Sequence, residues 1–96
     1  HDGWTLTLRG VERAAAGRRV VVTLDVMPPA GAVAVDAPLH MALVRAGAGD
    51  ELHPPLLWLR RGRALVVAFA WRGAGRPLLR FAPGGSRPLA LALPRP

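Results

Sequence analysis

The stretch Arg63-Ala-Leu-Val-Val-Ala-Phe-Ala-Trp71 decides the fold of this chain. Leu65, Val67, Phe69 and Trp71 recur at every second position, so a β-strand would place all four on one face. The alternate positions hold only alanine and valine, which makes the second face apolar as well. A strand that is apolar on both faces is typical of the middle of a sheet. The pattern therefore predicts a central strand with its large side chains in the core.

Further strands are predicted on both sides of this one by the same period of two. Arg18 to Val26 alternates valine and leucine with Arg19, Val21, Thr23 and Asp25, and the prolines that follow Met27 end it. Pro38 to Arg45 is predicted as a strand with Leu39, Met41 and Leu43 on one face. Leu78 to Phe81 and Arg87 to Leu93 are predicted as the last two strands.

The remaining segments are predicted to be turns, loops and a first strand. Trp4 to Arg9 alternates apolar and polar residues, and Gly10 indicates a bulge. Turns are predicted at Glu12 to Gly17 and Ala46 to Asp50, and a loop at Ala30 to Asp36. Leu56 to Leu59 is a short apolar segment. About seven short strands without a predicted helix indicate a single all-β domain over residues 1–96, an antiparallel sandwich. Its large core residues are expected to be Trp4, Trp58, Phe69, Trp71 and Phe81.

Composition restricts the classes of partner. The 96 residues are 51% hydrophobic and 20% charged, which is typical of a folded domain, and no apolar run approaches the roughly 20 residues that span a bilayer. All 13 basic residues are arginine and the formal net charge is +7. The arginines as a whole are expected to form a solvated surface, and the one local cluster, Arg60, Arg61 and Arg63, permits electrostatic contact with an acidic polymer as an alternative. Exposed aromatic residues and a basic helix are lacking, so specific nucleic-acid binding is not expected.

No group of residues indicates catalysis. Ser86 is the only serine and lies in a Pro-Gly-Gly-Ser turn rather than in a nucleophile elbow. The six carboxylates fall mostly in predicted turns, without an evident buried pair for acid–base chemistry. The sequence therefore predicts a protein that is not an enzyme and needs no cofactor.

The histidines permit a second interpretation, a small secreted copper protein. If His1 is the mature amino terminus, its imidazole and amine could bind one copper ion, with His40 or His53 as a third ligand and Met41 as a fourth. The alternative is that His1 is merely the first residue, that His40 points outward from a strand, and that His53 ends a hairpin. The sequence leaves both possibilities open.

The second faces of the strands suggest an interface. Small apolar residues point away from the predicted core and allow another backbone to approach closely. We expect such an interface to include Val21 and the following six residues: Val44, Val66, Ala68, Ala70, Ala90 and Ala92. The alternative is that these residues simply form a weakly polar surface.

Several of these segments also carry a resemblance to a family. Gly3-Trp-Thr-Leu-Thr-Leu8, Gly17-Arg-Arg-Val-Val-Val-Thr-Leu-Asp-Val26 and Leu65-Val-Val-Ala-Phe69 resemble the immunoglobulin-like domains of bacterial secreted proteins and lipoproteins, including the mycobacterial immunoprotective extracellular protein family. The resemblance covers almost the whole chain and transfers no functional residue. It implies an immunoglobulin-like sandwich, located outside the cell or in the envelope, that acts as an accessory interaction domain, for example as a subunit of a larger assembly.

Overall fold

Two antiparallel four-stranded sheets pack face to face in the computed structural model. The structure describes residues 3–14, 18–31, 34–45, 48–71, 77–83 and 88–93. Its elements in chain order are β1 (Thr5–Ala14), β2 (Arg19–Met27), a 3₁₀-helix η1 (Ala34–His40), β3 (Met41–Arg45), β4 (Ala48–His53), β5 (Pro55–Arg61), β6 (Ala64–Ala70), β7 (Pro77–Phe81) and β8 (Leu89–Ala92). The prediction of an all-β sandwich is confirmed, with eight strands in place of about seven.

The predicted central strand is β6. The first sheet has the order β1-β2-β6-β5 and the second β4-β3-β7-β8, so β6 is an inner strand paired on both sides. Its side chains Leu65, Val67 and Phe69 are buried, and Trp71 directly after it is fully buried. These residues form the core with the inward faces of β2, β3 and β7.

Two glycines set local features of the first sheet. The register between β1 and β2 shifts between Leu8 and Gly10, which is the expected bulge. Gly62 has φ +63° in the turn between β5 and β6, a backbone conformation that glycine adopts without strain. The prediction of a bulge at Gly10 is therefore confirmed.

Several boundaries differ from the predictions. Residues predicted as the start of a strand at Pro38 belong to η1, so the strand begins only at Met41 and Leu39 is 67% exposed rather than inward. Proline has no N–H to donate to a sheet, which agrees with the later start. The predicted turn at Glu12 is a continuation of β1 to Ala14, and part of the predicted turn at Ala46 to Asp50 belongs to β4.

Candidate functional site

An apolar edge strand is the most unusual surface of the described chain. Of the described strands, β5 pairs only with β6, so its other side has no described partner. Four consecutive large apolar residues in it are substantially exposed: Leu56 (51%), Leu57 (50%), Trp58 (40%) and Leu59 (46%). An exposed, apolar strand edge is a template for pairing with another chain.

The prediction that Trp58 lies in the core is wrong. It was expected in the core, but it is 40% exposed, whereas Trp4 and Trp71 are buried. Trp58 lies opposite Val67 and so on the core side of the sheet, but β5 is the outermost strand, which leaves the indole at the rim of the core.

The other face of β5 continues an apolar surface across the first sheet. Leu57 lies opposite Ala68, and Ala68 lies opposite Val21 of β2. Leu59 lies opposite Val66 in the next outward-facing position. We name Val21, Leu57, Leu59, Val66 and Ala68 the outer patch. Its residues face away from the core because the alternate positions of β6 are the buried ones.

The six predicted interface residues do not form one surface. Val66, Ala68 and Ala70 lie on the outer face of the first sheet, whereas Val44, Ala90 and Ala92 lie on the second sheet, with Val44 and Ala92 both opposite Leu78. Because the sheets face each other, their outer faces are on opposite sides of the molecule. Ala68 is also only 5% exposed, so it forms the floor of the outer patch rather than its surface.

Two of the other edge strands, β1 and β8, carry features that discourage pairing. β1 contains Arg9, Glu12 and Arg13 on its exposed positions and is interrupted by the bulge. β8 has only four residues. Charges, bulges and short length are the usual protections of strand edges. β5 has a register shift between Pro55 and Leu57 and ends in Arg60 and Arg61, but from Leu57 to Leu59 it carries neither a charge nor a bulge.

The predicted basic cluster lies at the end of β5. Arg60 and Arg61 are its last residues and face opposite sides, since Arg60 lies opposite Leu65 and Arg61 opposite Ala64. Arg63 follows in the turn, and all three side chains are exposed. Arg60 and Arg63 line one groove with residues of β1 and β2, and Arg61 is not among the residues that line it.

An ion pair lies on β1 and β2 beside the same groove. Arg9 donates hydrogen bonds from Nε (2.8 Å) and from its terminal nitrogen to Asp25 Oδ2. This hydrogen bonding, together with the negative charge of Asp25, raises the pKa of Arg9 above its ordinary value. The pair is exposed, so its contribution to folding stability is expected to be small.

The predicted copper ligands are only partly described. The His40 ring meets Phe81 edge-on at 6.5 Å, the His53 ring meets Trp71 at 5.2 Å, and Met41 is buried in the core. His40 is the last residue of η1 and not a strand residue. His1 lies outside the described residues, as does Ser86. Within the described ranges, no three His, Asp or Glu side chains form a group that could hold a metal ion. Copper binding through His1 stays a prediction.

Comparison with protein-family models, with curated proteins and with solved structures finds no match for this chain. A search of the described helices finds none with the length and hydropathy to cross a membrane. Function must therefore be inferred from the surface itself.

The exposure of Trp58 gives a direct spectroscopic test of the β5 edge. We expect acrylamide to quench mainly Trp58 in dilute protein, because the other two indoles are buried. Trp58→Phe should therefore remove most of the quenchable fluorescence, as measured by the Stern–Volmer slope. Trp4→Phe is the control and should leave that slope largely unchanged. Equal slopes in the wild type and Trp58→Phe would mean that β5 is covered.

Proposed function

We propose that this protein is a non-enzymatic interaction module, an immunoglobulin-like sandwich outside the cell or in the cell envelope, that joins a larger assembly through β5. The observation that carries the proposal is the exposed apolar run from Leu56 to Leu59 on an edge strand. The location and the immunoglobulin-like class rest on the resemblance of the strand sequences. The occupant that we infer for the edge is β5 of a second copy.

Antiparallel pairing of two β5 strands is self-complementary. With the two-fold axis at Trp58, Leu57 of one copy lies opposite Leu59 of the other, and the two indoles meet at the centre. The pairing would join the two first sheets into one eight-stranded sheet and would satisfy the backbone groups on the unpaired side of β5. The outer patches of the two copies would then become continuous.

The arginines also favour the antiparallel arrangement. In that register Arg61 of one copy lies opposite Pro55 of the other, so the two Arg61 residues are six strand positions apart, about 20 Å. This distance exceeds the screening length of about 8–10 Å at physiological ionic strength. Parallel strands would instead place equal arginines about 5 Å apart. Charge therefore selects the two-fold arrangement and does not prevent it.

The proposal predicts a dimer that is lost when β5 is charged. We expect light scattering after size exclusion, over a concentration series, to give twice the chain mass at high concentration. Leu57→Arg with Leu59→Arg would place like charges directly opposite each other, which costs several kcal/mol at an interface. The dissociation constant should rise by at least about 100-fold.

The matched control places two arginines on a different edge. Ala90→Arg with Ala92→Arg makes the same charge change on the exposed face of β8 in the second sheet. This variant should keep the dimer. A wild-type protein that is monomeric at every concentration would contradict self-assembly, and a dimer broken only by the β8 variant would move the interface to the second sheet. Circular dichroism of both variants checks that the fold is retained.

A further inference from the structure

A groove of about 490 Å³ lies where the start of β1, the end of β2 and the turn after β5 meet. Two guanidinium groups, Arg60 and Arg63, line it together with the hydroxyl-bearing Thr5 and Thr7. This volume lies in the range of small-molecule binding sites. The groove is a feature separate from the apolar run of β5.

The charge of the groove is positive. Arg9 pairs with Asp25, so the carboxylate that lines the groove among the described residues is neutralised by a neighbouring guanidinium. Within the described part of the chain, neither Arg60 nor Arg63 forms an ion pair. Among the described residues, these two guanidinium groups therefore have no compensating acid. Guanidinium groups bind carboxylate and sulfate oxygens through paired N–H donors.

The rest of the lining suits a sugar ring. Thr5, Thr7 and Asp25 offer hydroxyl and carboxylate oxygens that can accept hydrogen bonds from sugar hydroxyls. Val26, Met27 and Pro28 supply apolar surface for the C–H faces of the ring. A few placed polar groups on an apolar lining are characteristic of small-molecule sites.

We propose that this groove binds an acidic sugar unit of an anionic polysaccharide, with the carboxylate or sulfate group held by Arg60 and Arg63. The anionic group would lie between the two guanidinium groups, and the ring would lie toward Thr5 and Thr7. Arg61 does not line the groove and takes no part. The assignment does not depend on self-assembly through β5.

Defined tetrasaccharides distinguish the sources of the anionic group. Binding would be measured by isothermal calorimetry in 150 mM NaCl with a hyaluronan tetrasaccharide, which carries only carboxylates, a heparin tetrasaccharide, which also carries sulfates, and neutral maltotetraose. We expect at least one anionic tetrasaccharide to bind and maltotetraose not to bind. The stronger of the two anionic ligands identifies the group that the groove selects.

Single arginine variants locate the site. Arg60→Ser and Arg63→Ser should each lower the affinity by about 10-fold or more, because each removes a charge-assisted hydrogen bond. Arg61→Ser removes the same charge from the same cluster without touching the groove, so it should change the affinity by less than about 3-fold. Thr7→Val should also weaken binding, while general charge attraction alone would not respond to it.

Four results would overturn the assignment. The first is an equal loss of affinity for Arg60→Ser, Arg61→Ser and Arg63→Ser, and the second is equal binding of maltotetraose. The third is an octathymidylate that binds more tightly than both anionic tetrasaccharides. The fourth is no binding of either anionic tetrasaccharide at millimolar concentration. The first would indicate unspecific attraction by the net charge of the chain, and the third would indicate a nucleic-acid surface.

Discussion

Phe69→Ala is expected to lower the free energy of unfolding by about 3–5 kcal/mol. Phe69 is fully buried on the core face of β6, where its register partners are Val20 of β2 and Pro55 of β5. Removal of the ring leaves a cavity under β6. The strand itself is held in place by β2 on one side and β5 on the other. The loss is a large part of the total stability of a small domain, about 5–15 kcal/mol.

Urea unfolding followed by tryptophan fluorescence would measure the change. The matched control is Val66→Ala in the same strand, since Val66 is only half-buried and faces the outer patch. That variant should lose about 1 kcal/mol or less, because its side chain is smaller and is not enclosed by the core. A loss below about 1.5 kcal/mol for Phe69→Ala would mean that the two sheets close over the cavity.

The inner strands were predictable because each has one continuous face of large residues. In β2, Val20, Val22 and Leu24 are buried as the period of two predicts. The same holds for Leu79 and Phe81 in β7. An inner strand is constrained on both sides, so its alternation directly reflects which face meets the core. The sandwich therefore followed from the sequence.

The edge strand was not predictable to the same degree. Leu56-Leu57-Trp58-Leu59 is apolar at every position, so it has no alternation that would separate a core-facing side from an exposed one. Hydrophobicity alone placed Trp58 in the core, which is wrong. A signal was nevertheless present, because prolines before such a run and arginines directly after it are typical of sheet edges.

Three of the five residues of the outer patch could be predicted from the sequence. Val21, Val66 and Ala68 of the outer patch were expected to face outward, since they alternate with core residues. Leu57 and Leu59 were missed because their place depends on which strand pairs with β6. The pairing of β5 with β6 depends on the register of the sheet, and no local sequence pattern specifies that register. That Val44, Ala90 and Ala92 lie on the second sheet, apart from this surface, could not be predicted for the same reason.

Gly3→Ala is expected to destabilise the protein through two separate effects. Gly3 has φ +84°, a conformation that costs a residue with a side chain about 1–3 kcal/mol. In addition, a Cβ at this position would lie 2.7 Å from Cβ of Pro29, which is too close for two carbon atoms. Relief of that contact must move the segment directly before Trp4, whose ring packs edge-on against Phe81 at 5.1 Å. We expect a total loss of about 2–4 kcal/mol.

Gly31→Ala separates the two effects. Gly31 has φ +85°, nearly the same backbone conformation, but a Cβ there would meet no atom within 4 Å. The free energy of unfolding that Gly31→Ala loses, measured by thermal or urea unfolding, should therefore reflect the backbone effect alone. This loss should be smaller than that of Gly3→Ala by about 1–3 kcal/mol. Equal losses of stability in both variants would show that Pro29 moves aside without strain. The position of Trp4 in the core would then not depend on the absence of a side chain at residue 3. A larger loss for Gly3→Ala would identify the contact between Gly3 and Pro29 as what fixes the start of β1 over the core.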